Sequence, residues 1–256
     1  MFEWLTERRR SKLLERPFPR HWNGFLAQHV AMWGRLGEDV QQRLRELTQV
    51  FMSEKHWEGC GGLELTDEIE VTIAAQACML LLGREHALYE DVESILVYPA
   101  TVVSPARRRG LFDPGGVAVD EAGTPIHGEA HLGGPVILAW DDVLAGGRSG
   151  AVRNVVFHEF AHKIDMLDGT VDGTPPLADR AARRAWAEVC SQAVRELRQR
   201  VEAGKRHFLD DYGATNEAEF FAVATEAYFL QPEELARSEP ELHAQLAGFY
   251  RFEPPP

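Results

Sequence analysis

The run His158-Glu159-Phe160-Ala161-His162 constrains this chain more than any other stretch. It matches H-E-x-x-H, a pattern that carries chemistry only on a helix. Helical residues four apart share a face, with Cβ atoms about 5–6 Å apart, so both imidazoles can reach one metal ion. Glu159 is rotated by about 100° from His158 around the helix axis. It therefore stands beside such an ion, where a carboxylate can take a proton from water whose pKa zinc lowers to about 7. The flanks agree, because Val152, Val155, Val156, Phe157, Phe160 and Ile164 supply the apolar contacts of an amphipathic helix. Histidines buried among such residues cost free energy unless they are paired or metallated. The pattern points to zinc, one ion per chain.

A catalytic zinc needs a third protein ligand and one open position. Asp168 follows His162 closely, but the place where a glycine would bend the chain back is Asp165. If the helix continues, Asp168 falls about 80° off the metal face. Asp165 stays on that face one turn further along and suits a carboxylate that orients an imidazole N–H; an ordinary exposed acid explains it equally well. The segment NEAEFFAVATEAYFL offers Glu219 and Glu226, which share a helical face with Ala222, Val223 and Phe229. Glu219 also fits position N3 of a capping box opened by Asn216, and Glu226 can pair with a base or reach solvent. Spacing leaves the choice between them open. Tyr212 could donate a hydrogen bond to an oxyanion or simply pack as a loop tyrosine. His207 lies nearby, and nothing selects it.

Composition limits the partners. The 256 residues hold 27 basic and 40 acidic side chains, a net charge of −13, which argues against a phosphate backbone as partner. Cys60, Cys78 and Cys190 have no close spacing, so reduced, buried thiols are expected rather than a disulfide framework. The basic triplet Arg107-Arg108-Arg109 reads as a solvated loop. The N-terminus carries charge every few residues and lacks an apolar signal region. The longest apolar run, Val71–Gly83, falls short of the roughly 20 residues a bilayer span needs. The expectation is a cytoplasmic protein without membrane contact.

The periodicities place these motifs in an α+β chain. Val40, Leu44, Leu47 and Phe51 form one helical stripe, and Thr66 or Asp67 can cap the next helix, which runs towards Gly83. Ser94–Val103 and GGPVILAW (Gly133–Trp140) read as strands, with a hairpin around Glu121–Gly123. Helices follow around the H-E-x-x-H motif, from Asp179 to Glu202, from near Asn216, and as a short pair opened by Pro232. The tail RFEPPP is expected to fray. GGPVILAW could lie along the cleft and pair with a substrate backbone, with Ala139 and Trp140 at its accessible end; a central buried strand is the competing expectation. One domain, 1–256, is the economical division, with a helical part over 1–84 and the sheet and site helices over 85–256.

Beyond these patterns, HEFAHKIDMLDG, DYGATNEAEFFAVATEAYF, GLELTDEIEVTIAAQACMLLL and GEAHLGGPVILAW together resemble the Mlc titration factor family of zinc-dependent peptidases. The matching blocks run from about His56 to the last helices. The resemblance implies a mainly helical, zincin-like metallopeptidase with a small mixed β-sheet preceding the H-E-x-x-H helix. It implies His158, His162 and Glu219 as zinc ligands, Glu159 as catalytic base and Tyr212 as an active-site tyrosine. It further implies aminopeptidase-like hydrolysis of short peptides, or a regulatory role in sequestering a DNA-binding transcriptional repressor of sugar uptake. Glu217 departs from the family's pattern, in which proline is frequent there.

Overall fold

The computed structural model describes residues 2–84, 89–100, 102–103, 125–126, 128–130 and 134–256. Its N-terminal part is helical: α1 (Phe2–Leu14), α2 (Trp22–His29), α3 (Glu38–Glu54) and α4 (Asp67–Met79). Helix α3 buries Leu44, Leu47 and Phe51, the expected stripe. Thr66 caps α4 by accepting from the Ile69 N–H, and every residue from Val71 to Met79 is buried. The apolar run is a core helix. Among the described residues, no helix is long and apolar enough to cross a membrane.

The chain then builds a small sheet. Strands β1 (His56–Gly59), β2 (Ser94–Tyr98) and β6 (Val136–Ala139) run parallel, and β5 (Gly128–Ala130) closes one edge antiparallel to β6. Two residues each of β3 (Val102–Val103) and β4 (Pro125–Ile126) form a separate antiparallel pair. The β-branched composition of SILVY and VILA suits strands whose alternate residues are fully buried, as Ile95, Val97, Val136 and Leu138 are. The expected hairpin at Glu121–Gly123 and the triplet Arg107–Arg109 lie outside the described residues.

Strand β6 is not an open edge. It is flanked by β2 on one side and β5 on the other, so its backbone groups are already paired and cannot receive a substrate strand. Ala139 is buried, and Trp140 opens helix α5 (Trp140–Gly146) and packs edge-on against His29. Of the two expectations for GGPVILAW, the central strand holds.

The remaining helices are α6 (Val155–Asp165), α7 (Arg180–Glu202), α8 (Glu217–Leu230), α9 (Pro232–Ser238) and α10 (Pro240–Tyr250). Of these, α6 packs against β5 and β6, and the others pack around it and one another. Aromatic contacts set the position of α6: Phe160 meets Phe51 and Tyr89 at 5.6 and 4.8 Å between ring centroids, and Phe157 meets Phe229 of α8 at 5.4 Å. This mainly helical α+β architecture with a small mixed sheet ahead of α6 agrees with the sequence reading. The last residues do not fray. Arg251 turns the chain in the left-handed region, Phe252 stacks parallel to Phe229, the Tyr228 hydroxyl donates to the Phe252 carbonyl, and Pro254 is buried. The expected fraying does not hold, because packed aromatics hold the segment down. All three cysteines are free, although only Cys78 is buried; Cys60 and Cys190 are partly exposed.

Candidate metal centre

Helix α6 begins at Asn154, whose side chain accepts from the Phe157 N–H and caps the first turn. One turn later His158 and His162 project from the same face. Helix α8 starts in the same manner, with Asn216 accepting from the Glu219 N–H at 2.9 Å. Only half of the anticipated capping box forms, because the Glu219 carboxylate turns towards the histidines. Glu219 Oε2 lies 3.0 Å from His158 Nε2 and 3.3 Å from His162 Nε2, and the two Nε2 atoms are 3.2 Å apart.

That triangle can be tested against an ion. Donors held about 2.0–2.2 Å from a tetrahedral zinc stand roughly 3.3 Å from one another. All three edges match, two nitrogens and one oxygen are a common catalytic zinc set, and among the described residues no fourth protein donor joins the cluster. The residues fit a zinc-sized ion. The other carboxylates are excluded by position. Asp168 is exposed and accepts from Thr170 N and Oγ1 in a local turn. Asp165 is fully buried and accepts from the Thr174 N–H at 2.9 Å, anchoring the loop after α6. Its Oδ2 and the His162 Nδ1 are both buried without hydrogen-bond partners. His207 pairs with Glu239.

Glu226 is buried on the far side of His158. The His158 Nδ1–H donates to its Oε1 at 2.8 Å, and the Asn154 N–H donates to its Oε2. The two acids that spacing could not separate thus meet opposite nitrogens of one imidazole.

Burial and charge shift several groups of this pocket. Burial alone would push the His158 pKa down, but hydrogen bonds to Glu219 and Glu226 outweigh it and raise the value to about 10. Burial pushes Glu219 up, while His158 and His162 more than reverse this and hold it at about 2. Glu159 is buried, and desolvation raises it to about 7 despite the opposing pull of both histidines. Tyr212 sits on a 3₁₀ turn, Asp211–Ala214, that is fixed by Asp210, which accepts from the Tyr212 N–H and pairs with Arg153. Its ring lies 5.9 Å from that of His158, and its hydroxyl donates to Glu219 Oε1 at 3.4 Å. Burial and the Glu219 charge raise its pKa to about 12, so it stays protonated. Beside the triangle, a cavity of about 250 Å³ is lined by His162, Glu219, Met166, Val171, Asn216 and Ala218 among others.

Sequence reasoning overlooked Asn154, Gln76 and the Arg153–Asp210 pair. Asn154 had a visible signal as a cap before an apolar run, and Gln76 as a polar residue inside one.

The model of the glucose-regulated metallo-peptidase M90 family matches residues 4–251. An uncharacterized protein of Synechocystis sp. is 36% identical over 255 residues, covering 98% of this chain and 90% of its own length. Proteins named Mlc titration factor A are similar at 29% identity: that of Edwardsiella ictaluri covers 88% of this chain and 85% of its own length, and that of Serratia proteamaculans 91% and 87%.

Proposed function

The chain belongs to the glucose-regulated metallo-peptidase M90 family, and on that premise we propose that it is a zinc-dependent peptidase of zincin-like fold, cutting short peptides from their amino end. The observation that carries this reading is the triangle of His158, His162 and Glu219 donors beside the buried acid Glu159. When bound there, zinc supplies Lewis acidity that polarises a carbonyl and acidifies water.

The chain's own groups supply the rest. His158 and His162 present Nε2, and Glu219 presents Oε2, so one face of the site is fixed by two packed helices. Glu159, with a pKa of about 7, is matched to accept a proton from water and return it to the leaving amine at neutral pH. Water oxygen joins the carbonyl carbon, the C–N bond breaks, and the proton held on Glu159 leaves with the amine. The protonated Tyr212 hydroxyl, free to swing off Glu219 at the long distance of 3.4 Å, donates to the oxyanion as it develops.

Replacing the base tests the assignment. Glu159→Gln is expected to keep full zinc occupancy while peptide turnover falls by about 10²–10⁴-fold. Unchanged turnover with zinc bound would falsify the role of Glu159. A second reading is supported by the relatives' name, Mlc titration factor A: a regulatory protein that binds a DNA-binding repressor, without need of catalysis.

A further inference from the structure

Glu226 sits where its charge needs a reason. It is 5% exposed, on an otherwise apolar stretch of α8, and both its oxygens are engaged by α6. We infer that Glu226 is a positioning residue that selects which nitrogen of His158 faces the zinc site, and that it is itself held by a buried polar chain through Asn154 and Gln76. The inference rests on the metallopeptidase reading and adds the device that orients its first ligand.

The chain has a polarity that can be followed atom by atom. Gln76 of α4 donates through Nε2 to the carbonyls of His29 and Val143, at 3.1 and 3.3 Å. This fixes its amide, so Oε1 must accept, and it accepts from Asn154 Nδ2 at 2.9 Å. Asn154 Nδ2 also donates to the Gly146 carbonyl, leaving Oδ1 to accept from the Phe157 N–H. The Asn154 backbone N–H then donates to Glu226 Oε2. An ionised carboxylate only accepts, so its other oxygen requires a donor, and the donor in place is His158 Nδ1–H. With a proton held on Nδ1, a neutral His158 has its lone pair on Nε2. That is the nitrogen aimed at Glu219 and His162.

Each member is nearly sealed from water: Gln76 is 1% exposed and Asn154 2%. A buried network with every group satisfied resists alternative orientations, because any flip leaves a donor facing a donor. Asn154 matters twice, since it both caps α6 and grips Glu226. The register of the histidine along its helix and the tilt of its ring are therefore set by the same residue. Carboxylate partners of this kind raise ligand basicity and fix the tautomer, and their loss weakens metal binding by about 10–100-fold.

The test uses the full chain loaded with zinc and has two arms. Long-range proton–nitrogen NMR of the native protein is expected to show His158 bonded through Nε2 and protonated at Nδ1. In competition with a chelator, Glu226→Gln is expected to bind zinc about 10–100-fold more weakly, because the amide cannot accept from both partners. Restoring the carboxylate with Glu226→Asp should recover part of that loss. A native His158 bonded through Nδ1, or a folded Glu226→Gln with native affinity, would overturn this inference alone. Should Glu226→Gln not fold, the NMR arm decides. A native chain that takes up no zinc would remove the metallopeptidase reading, and this inference with it.

Discussion

His158 lies between two carboxylates, and its charge state is the first thing a metal must change. In the metal-free chain its pKa of about 10 exceeds the ordinary value near 6.5. A histidine raised in this way contributes stability that is fully present below about pH 6.5 and is lost as pH rises through 10. Zinc reverses the preference, because it requires the unprotonated nitrogen. At pH 8 to 9 Glu159, at about 7, has already lost its proton, so His158 is the group that must release one. The expected result is the release of one proton per zinc from His158, in addition to any from water that the zinc would acidify, with affinity rising at least about tenfold per pH unit across that window. Calorimetry in two buffers of different ionisation enthalpy reads the proton, and chelator competition reads the affinity. Thermal melts should show the metal-free chain losing stability towards pH 10, while the zinc-loaded chain does not. An affinity that stays flat from pH 8 to 9 would mean that His158 is neutral before the metal arrives.

Elements determine whether such residues meet, and here the sequence was legible in part. The H-E-x-x-H helix and the helix starts near Thr66, Asp179 and Asn216 depend on neighbours within a turn or two and can be read directly, whereas Val152, read as an apolar contact of that helix, precedes it and is exposed. Glu219 and Glu226 could not be separated that way. Seven residues apart they share a face, and only the packing of α8 across α6 decides which reaches Nε2 and which Nδ1. The pairing of β6 on both edges was hidden for the same reason, since strand order is a long-range property. The fraying expected of RFEPPP does not occur because nothing local in that segment says what Phe252 can pack against. One glycine exposes this dependence on packing. Gly173 has φ of +76°, and a Cβ there would lie 2.2 Å from the carbonyl oxygen of Glu217, in the first turn of α8. Gly173→Ala should therefore cost about 2 kcal/mol or more from left-handed strain and collision, lowering the melting temperature by roughly 4–8 °C in a chain of this size. It should also weaken zinc binding, because α8 must shift and Glu219 with it. Gly204→Ala is the control: φ is +62° there too, but a Cβ meets nothing within 4 Å, so it should lose some stability and keep native zinc affinity. Equal affinities in the two variants would show that the loop does not position α8.

At the scale of the whole molecule the question is what the net charge of −13 does. The site accounts for only a few acids, namely Glu159, Glu219 and Glu226, with Asp165 anchoring its loop. Most of the others act together as a field over the surface, since a compact fold cannot bury them without partners. Such a field repels nucleic acid and favours a partner with a basic face, the kind of surface a DNA-binding repressor presents. If this chain binds such a partner, the second reading proposed from the relatives' name Mlc titration factor A, attraction should act mainly on the encounter. Long-range steering speeds association and is screened within a Debye length, which shrinks from about 30 Å at 0.01 M salt to about 8 Å at 0.15 M. Binding to purified Mlc, followed by surface plasmon resonance, should then show association slowing by about tenfold or more across that range, with dissociation changing far less. Glu159→Gln should leave both rates as they are, because removing the base alters neither the fold nor more than one of the many acids. If association proved independent of salt, the acidic surface would have no part in recognition. If binding were lost in Glu159→Gln, the partner would be engaging the metal centre itself, and the two functions proposed for this chain would be one.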